Sequence, residues 1–385
     1  MVVVALAAIS APTRADNRTE LALAGYAYLG SESQISTRFP YSRRYEQAQQ
    51  AAGLPIYQRL VVGLKDAPPQ NFRISTQLES LRGRDQALAA ALVIGNETVS
   101  IEQFGNLRKL AVIIRGQAMV FDFKSMNVVR AYPLSFAYVD LLDHAPTDEE
   151  IDARVKLVFE GANGKPGLIS RFVQSLSAAV PPASVSRFLQ VTKVEIKPEA
   201  NEGLPAFVRD VPSDAQTWAA DVVAEAISTR VGVPIVPYSK GYAIGNVMSV
   251  RVSDGTVWEL KLPKPDYEIS VTLSGFRKIK FAEVAGGATS YVYGAYADLR
   301  IEEPLSGKLF FSSALKNGET RVIPASQTYV DDGPHFYDAL NGLFVKTALA
   351  INESGDPKWI QSAASAKDIS AQLIQVKELM KLCKQ

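Results

Sequence analysis

The residue types that most often carry chemistry are scarce here. The 385-residue chain holds two histidines and one cysteine. His144 closes the run Leu141-Leu142-Asp143-His144, and His335 follows Asp331-Asp332-Gly333-Pro334. A zinc centre would need further ligands, with Asp143 or Asp332 as the nearest. Acidic residues at helix starts are explained by the helix dipole alone, so both histidines read as solvated loop residues. No metal site is expected. Asp331-Asp332-Gly333 lacks the alternating carboxylates and terminal glutamate of a calcium loop. In Gly161-Ala162-Asn163-Gly164-Lys165-Pro166, proline stands where a phosphate loop needs a hydroxyl, so that motif fails and no cofactor is expected. No Gly-x-Ser-x-Gly elbow occurs. Cys383, near the end, is a poor nucleophile candidate. No catalytic residues are assigned.

Two features point to recognition instead. The strand Tyr291-Val292-Tyr293-Gly294-Ala295-Tyr296 places Tyr291 and Tyr293 on one face and Tyr296 near the other. Such a strand could present an aromatic platform to a glycan or peptide. Residues 358–385 read as one amphipathic helix through Trp359, Leu373, Val376 and Leu379. It packs on its own core or serves as a docking helix for a protein partner.

Composition narrows the partners. The chain has 41 basic and 40 acidic residues, so no global field attracts polyphosphate. Arg38, Arg43 and Arg44, interleaved with Phe39, Tyr41 and Tyr45, are too few for a nucleic-acid patch, and no nucleic-acid partner is expected. The apolar run Val2–Ile9 followed by Ser10-Ala11-Pro12-Thr13-Arg14-Ala15 fits the core and cleavage region of a secretory signal, with Thr13 and Ala15 at −3 and −1. It is too short to cross a bilayer, and no later segment is apolar enough. The expectation is a periplasmic or secreted protein without a membrane-spanning segment.

The elements that would position these residues fall into two sets. Residues 20–30 read as a strand, Ile56–Leu64 as a buried strand, and 97–140 as an antiparallel meander. Thr147 and Glu150 form a capping box for a helix with Ile151, Val155, Val158 and Phe159 on one face. Pro181-Pro182 marks a boundary. Val191–Ile196 is a strand, and Ser213 starts a helix through Trp218, Val222, Val223 and Ala226. Residues 247–260 form a hairpin. Strands 291–301 and 308–315 precede a helix at 336–351. The fold class is α+β: two α/β modules with mostly antiparallel or mixed sheets flanked by helices. The repeated order strand, turn, strand, helix suggests an internal duplication. The divisions are a signal peptide at 1–15, modules at 16–190 and 191–355, and a C-terminal helix at 356–385.

From Ser213 to Ile351 the order is helix, short strand ending in proline, meander, Ser-Gly hairpin, helix. With Tyr293-Gly294-Ala295-Tyr296, Leu299-Arg300-Ile301 and Ser306-Gly307-Lys308, it resembles the α/β module of the TolB amino-terminal domain and the CsgG-type secretion family. The resemblance implies a bacterial envelope protein that scaffolds or binds other proteins. It carries over no functional residues. The expected function is a non-catalytic periplasmic binding or assembly protein of the cell envelope. The alternatives are an exported hydrolase using buried carboxylates, and a structural subunit docking through its C-terminal helix.

Overall fold

The computed structural model describes residues 18–384 apart from 31, 78–86, 105, 184–185, 210–211, 245, 253–255, 285–286, 326 and 328–329. The signal-like segment 1–15 lies outside the described residues. The class is α+β, as the periodicities predict.

The first half runs β1 (Thr19–Leu29), α1 (Glu32–Arg38), α2 (Pro40–Ala51), α3 (Ile56–Asp66), β2 (Phe72–Ser75), β3 (Leu88–Phe104), β4 (Leu107–Asp122) and β5 (Asn127–Leu142). It continues with α4 (Asp148–Glu160), the two-residue strands β6 (Gly161–Ala162) and β7 (Lys165–Pro166), and α5 (Leu168–Ala178). The second half runs β8 (Leu189–Ile196), α6 (Pro198–Asn201), α7 (Ala206–Arg209), α8 (Pro212–Ile227), α9 (Ser239–Tyr242), β9 (Val247–Val252), β10 (Val257–Lys261), β11 (Tyr267–Glu283), β12 (Ala288–Glu303), β13 (Lys308–Pro324) and α10 (Gly333–Ile351). The chain ends with α11 (Pro357–Ala363) and α12 (Ile369–Lys384).

Two sequence expectations are corrected. Ile56–Leu64 is the helix α3, not a strand: Ile56, Leu60 and Leu64 recur every fourth residue and are the ones buried. The C-terminal helix is two helices, because residues 364–368 leave helical geometry, and Ala364 bridges to Leu315.

The halves share one topology. In the first, the strand order is β2-β1-β3-β4-β5, with β1 parallel to both neighbours and β3-β4-β5 an antiparallel meander. In the second, Val236 makes a parallel bridge to β8, β8 lies parallel to β11, and β11-β12-β13 is again a meander. The irregularities correspond too. Bulged residues Ala24, Gly95 and Val129 match Thr192, Ser274 and Phe310. A bulge adds one unpaired residue and bends its strand, so matched bulges mean matched curvature. Both meander turns close with the same bond, Met126 N–H to Asp122 O at 2.7 Å and Gly307 N–H to Glu303 O at 2.9 Å. The residue before the returning strand is left-handed in each, Met126 at φ 57° and Gly307 at φ 69°.

The halves interlock. The β9–β10 hairpin comes from the second half yet joins the first sheet, with β10 beside β5 and β9 beside β1, so that sheet closes on itself. Its alanine-rich inner face (Ala22, Ala24, Ala27, Ala89, Ala91) shares one buried cluster with Trp258 and Trp218. The outer face, through Leu110, Val112 and Ile114, packs on the first half's own helices. Thr147 and Glu150 complete the capping box that starts α4. Among the described residues no helix is long and apolar enough to cross a membrane.

Candidate functional site

Beyond the closed part of the sheet, β3, β4 and β5 continue together as a three-stranded arm. One face of this arm carries Lys109, Ala111, Ile113 and Arg115, opposite Leu141, Val139, Ala137 and Ser135. The side chains alternate, so this face is separate from Leu110, Val112 and Ile114. The second half covers it. Helix α8 brings Trp218, Glu225 and Ala226; α10 brings Phe336, Tyr337 and Val345; the residues before α7 bring Leu204 and Pro205. Between them lies a cavity of about 660 Å³. That size suits a small organic ligand.

A cation, a carboxyl and a phenol stand together on its wall. Arg115 is 8 % exposed, and among the described residues its guanidinium meets no hydrogen-bond or ion-pair partner. A buried charge left without a partner costs several kcal/mol, on the order of 3–5. Glu225 stands nearby on α8 and accepts a hydrogen bond from the Ser135 hydroxyl. Burial pushes its carboxyl up to about 7, against the lowering effects of Ser135 and Arg115, while Asp221 pushes the same way as burial. Tyr337 completes the group; burial and the Glu225 charge raise its phenol above the ordinary value. At the mouth, burial opposes the charge on Lys109, but hydrogen bonds to Asp331 and Glu102 outweigh it and raise its pKa. Lys109 Nζ lies 2.6 Å from Glu102 Oε2.

The residues singled out by sequence fall elsewhere. Tyr293 is 0 % exposed, and its hydroxyl donates to Asp332 Oδ1 at 2.6 Å, so it belongs to the core beneath α10. Tyr291 lies on the same face, 6.5 Å away between ring centroids, and Tyr296 lies on the opposite face. The three therefore form no single surface. In the C-terminal helices, Val376 and Leu379 are buried in the protein's own core, and Trp359 and Leu373 pack partly against it. The apolar side chains that α12 leaves exposed are Ile374 and Leu382. His144 is paired with Asp143 at 2.7 Å and Glu150 at 3.1 Å on the surface. His335 packs its ring 4.8 Å from Tyr293, and burial lowers its pKa. Arg44 is bound to Asp148 and Asp152, and Arg43 to Glu46, so the basic cluster near residue 40 is engaged within the fold.

Sequence reasoning missed Arg115 and Glu225. The signal was there in the spacing. Arg115 is a cation that shares its strand face with Ala111 and Ile113, and Glu225 is an anion set beside Val222 and Ala226 on an apolar helix. Opposite charges on two otherwise apolar faces mark a polar pair inside a core.

No protein-family model matches the chain, and no curated protein matches it by sequence. Three of the solved structures similar to part of it are bacterial. A Xanthomonas campestris protein of family DUF330 shares 11 % identity at a TM-score of 0.22, over 44 % of this chain and 87 % of that one. A hypothetical protein of Chlamydia trachomatis shares 9 % identity at 0.23, over 43 % and 97 %. A homologue of the neuraminyllactose-binding hemagglutinin from Helicobacter pylori shares 12 % identity at 0.23, over 47 % and 91 %. Neither TolB nor CsgG is among these three.

Proposed function

We propose that this chain is a non-catalytic binding protein of the bacterial cell envelope that seats its ligand in the cavity between its two halves. The observation that carries this reading is Arg115: a buried cation that makes no hydrogen bond or ion pair among the described residues and lines a cavity walled by Phe136, Trp218, Phe336 and Tyr337. A free buried charge is tolerated where a ligand completes it. The envelope assignment rests on the signal-like pattern of residues 2–15. A protein partner is supported separately by apolar side chains left exposed on the second half, among them Phe281 at 74 % and Val284 at 68 %.

Titration with the dye 8-anilinonaphthalene-1-sulfonate tests the seat. Saturable binding to one site is expected, and Ala111→Trp, which projects an indole into the cavity, should weaken it at least tenfold with the circular dichroism unchanged. Equal binding by the variant would contradict the reading. One observation favours the hydrolase alternative: a carboxyl near neutrality can act as general acid or base. Chromogenic ester and glycoside substrates hydrolysed by the wild type but not by Glu225→Gln would establish that alternative.

A further inference from the structure

We infer that the cavity takes a monoanionic organic ligand, a carboxylate on an apolar body, and that a proton enters with it. This rests on the binding reading above and goes on to name the ligand class and its coupling.

The carboxylate follows from Arg115. Its guanidinium is planar and offers paired donors that match the two oxygens of a carboxylate. Lys109 is already held by Glu102 and Asp331, so it does not add a second buried free cation. A single buried positive charge balances a single negative one. Arg171, Arg209 and Arg230 also line the cavity but stand partly or fully exposed, so the second charge of a dianion would sit among Glu225, Asp331 and Asp332 without a second buried arginine to meet it. The apolar body follows from the walls, where Ala111, Ile113 and Phe136 face Trp218, Phe336 and Tyr337.

The proton follows from what surrounds Glu225. Arg115 faces it from β4, Ser135 from β5, Tyr337 from α10, and Asp221 lies on its own helix. Among these, Arg115 is the one positive charge that favours the ionised form. A ligand carboxylate seated on Arg115 cancels that field and adds a negative charge of its own. Both changes drive Glu225 toward its protonated form. The balance is one ligand anion plus one proton from solvent, bound together with no covalent bond made or broken. Free Glu225 is half-protonated near neutrality, so uptake approaches one proton only above it. Affinity then falls about tenfold for each pH unit in that range.

The test is calorimetric titration of the full chain with decanoate, decyl phosphate and decanol at pH 6, 7 and 8, in two buffers of different ionisation enthalpy. Decanoate should bind with 1:1 stoichiometry, more tightly than decyl phosphate, and at least tenfold more tightly than decanol. The buffer dependence should report close to one proton taken up at pH 8. Arg115→Gln, with Arg115→Leu as a second variant, should erase the preference for decanoate over decanol. Glu225→Gln should make decanoate affinity independent of pH and remove the proton uptake. Decanoate binding with no proton uptake overturns the coupling, and a preference that survives both Arg115 variants overturns the anion seat. Tighter binding of decyl phosphate overturns the choice of carboxylate. Each of these three results leaves the cavity standing as a binding seat. If the wild type binds neither decanoate, decanol nor the dye, the underlying reading falls as well.

Discussion

The same strand face occurs twice in this molecule, with opposite fates. In the first half, Ala111, Ile113 and Arg115 stand opposite Val139, Ala137 and Ser135. In the second, Val292, Gly294 and Tyr296 stand opposite Thr320, Gly318 and Lys316 at the corresponding positions. The first face is roofed by α8 and α10 and encloses the cavity. The second lines only a shallow groove beside Trp359 of α11. There Tyr296 lies under the Arg277 guanidinium, 5.4 Å from the ring centroid, and faces solvent in part. Strand pairing and the turn correspond in both, apart from an extra bulge at Phe281 in the second, so the strands alone do not make a site. What makes it is coverage by α8 and α10, which shields Arg115 and Glu225 from solvent and changes what their charges do.

That contrast has measurable consequences. The largest concerns Glu225. Its carboxyl sits near 7 in the fold against an ordinary value of 4.5, so the folded state holds a proton that the unfolded state releases. Stability should therefore fall as pH rises from about 4.5 to 7 and level off above, by up to about 3 kcal/mol. Urea unfolding across that window should show the slope, and Glu225→Gln should flatten it; an equal slope in the variant contradicts the assignment. Next is Arg115→Leu. Replacing a buried charge that has no hydrogen-bond or ion-pair partner among the described residues with an apolar side chain should stabilise the ligand-free protein by about 1–3 kcal/mol. The smallest effect compares the two meander turns. Nothing lies within 4 Å of a Cβ added to Gly307, so Gly307→Ala tests backbone strain alone and should cost about 1 kcal/mol. Met126 already bears that conformation in the first half. No loss on Gly307→Ala would mean that the turns are less alike than their hydrogen bonds indicate.

Much of the fold was legible. The reading of 97–140 as an antiparallel meander is met by β3, β4 and β5, and the capping box at Thr147 and Glu150 placed α4. The repeated order of elements in the sequence matches the similar strand order of the two sheets. Ile56–Leu64 misled because a short apolar run suits either strand or helix, and its fourfold spacing decided the matter only once seen. The β9–β10 hairpin was recognised, but its place in the first sheet depends on contacts between distant segments. The candidate site was the least legible part. Tyr291, Tyr293 and Tyr296 drew attention by residue type, yet Tyr293 proved to be core. Arg115 and Glu225 each show locally as a charge on an apolar face, but 109 residues lie between them, and no local pattern records that the two faces meet.

Melting curves of wild type, Arg115→Leu and Tyr296→Leu, each with and without decanoate at pH 6, put the two faces side by side. The account predicts that Arg115→Leu melts higher than wild type without ligand and gains nothing from decanoate. Tyr296→Leu, changed at the matching position of the open face, should show the full wild-type shift. A decanoate shift that persists in Arg115→Leu, or that disappears in Tyr296→Leu, would contradict the claim that the covered face between the halves is where this protein binds.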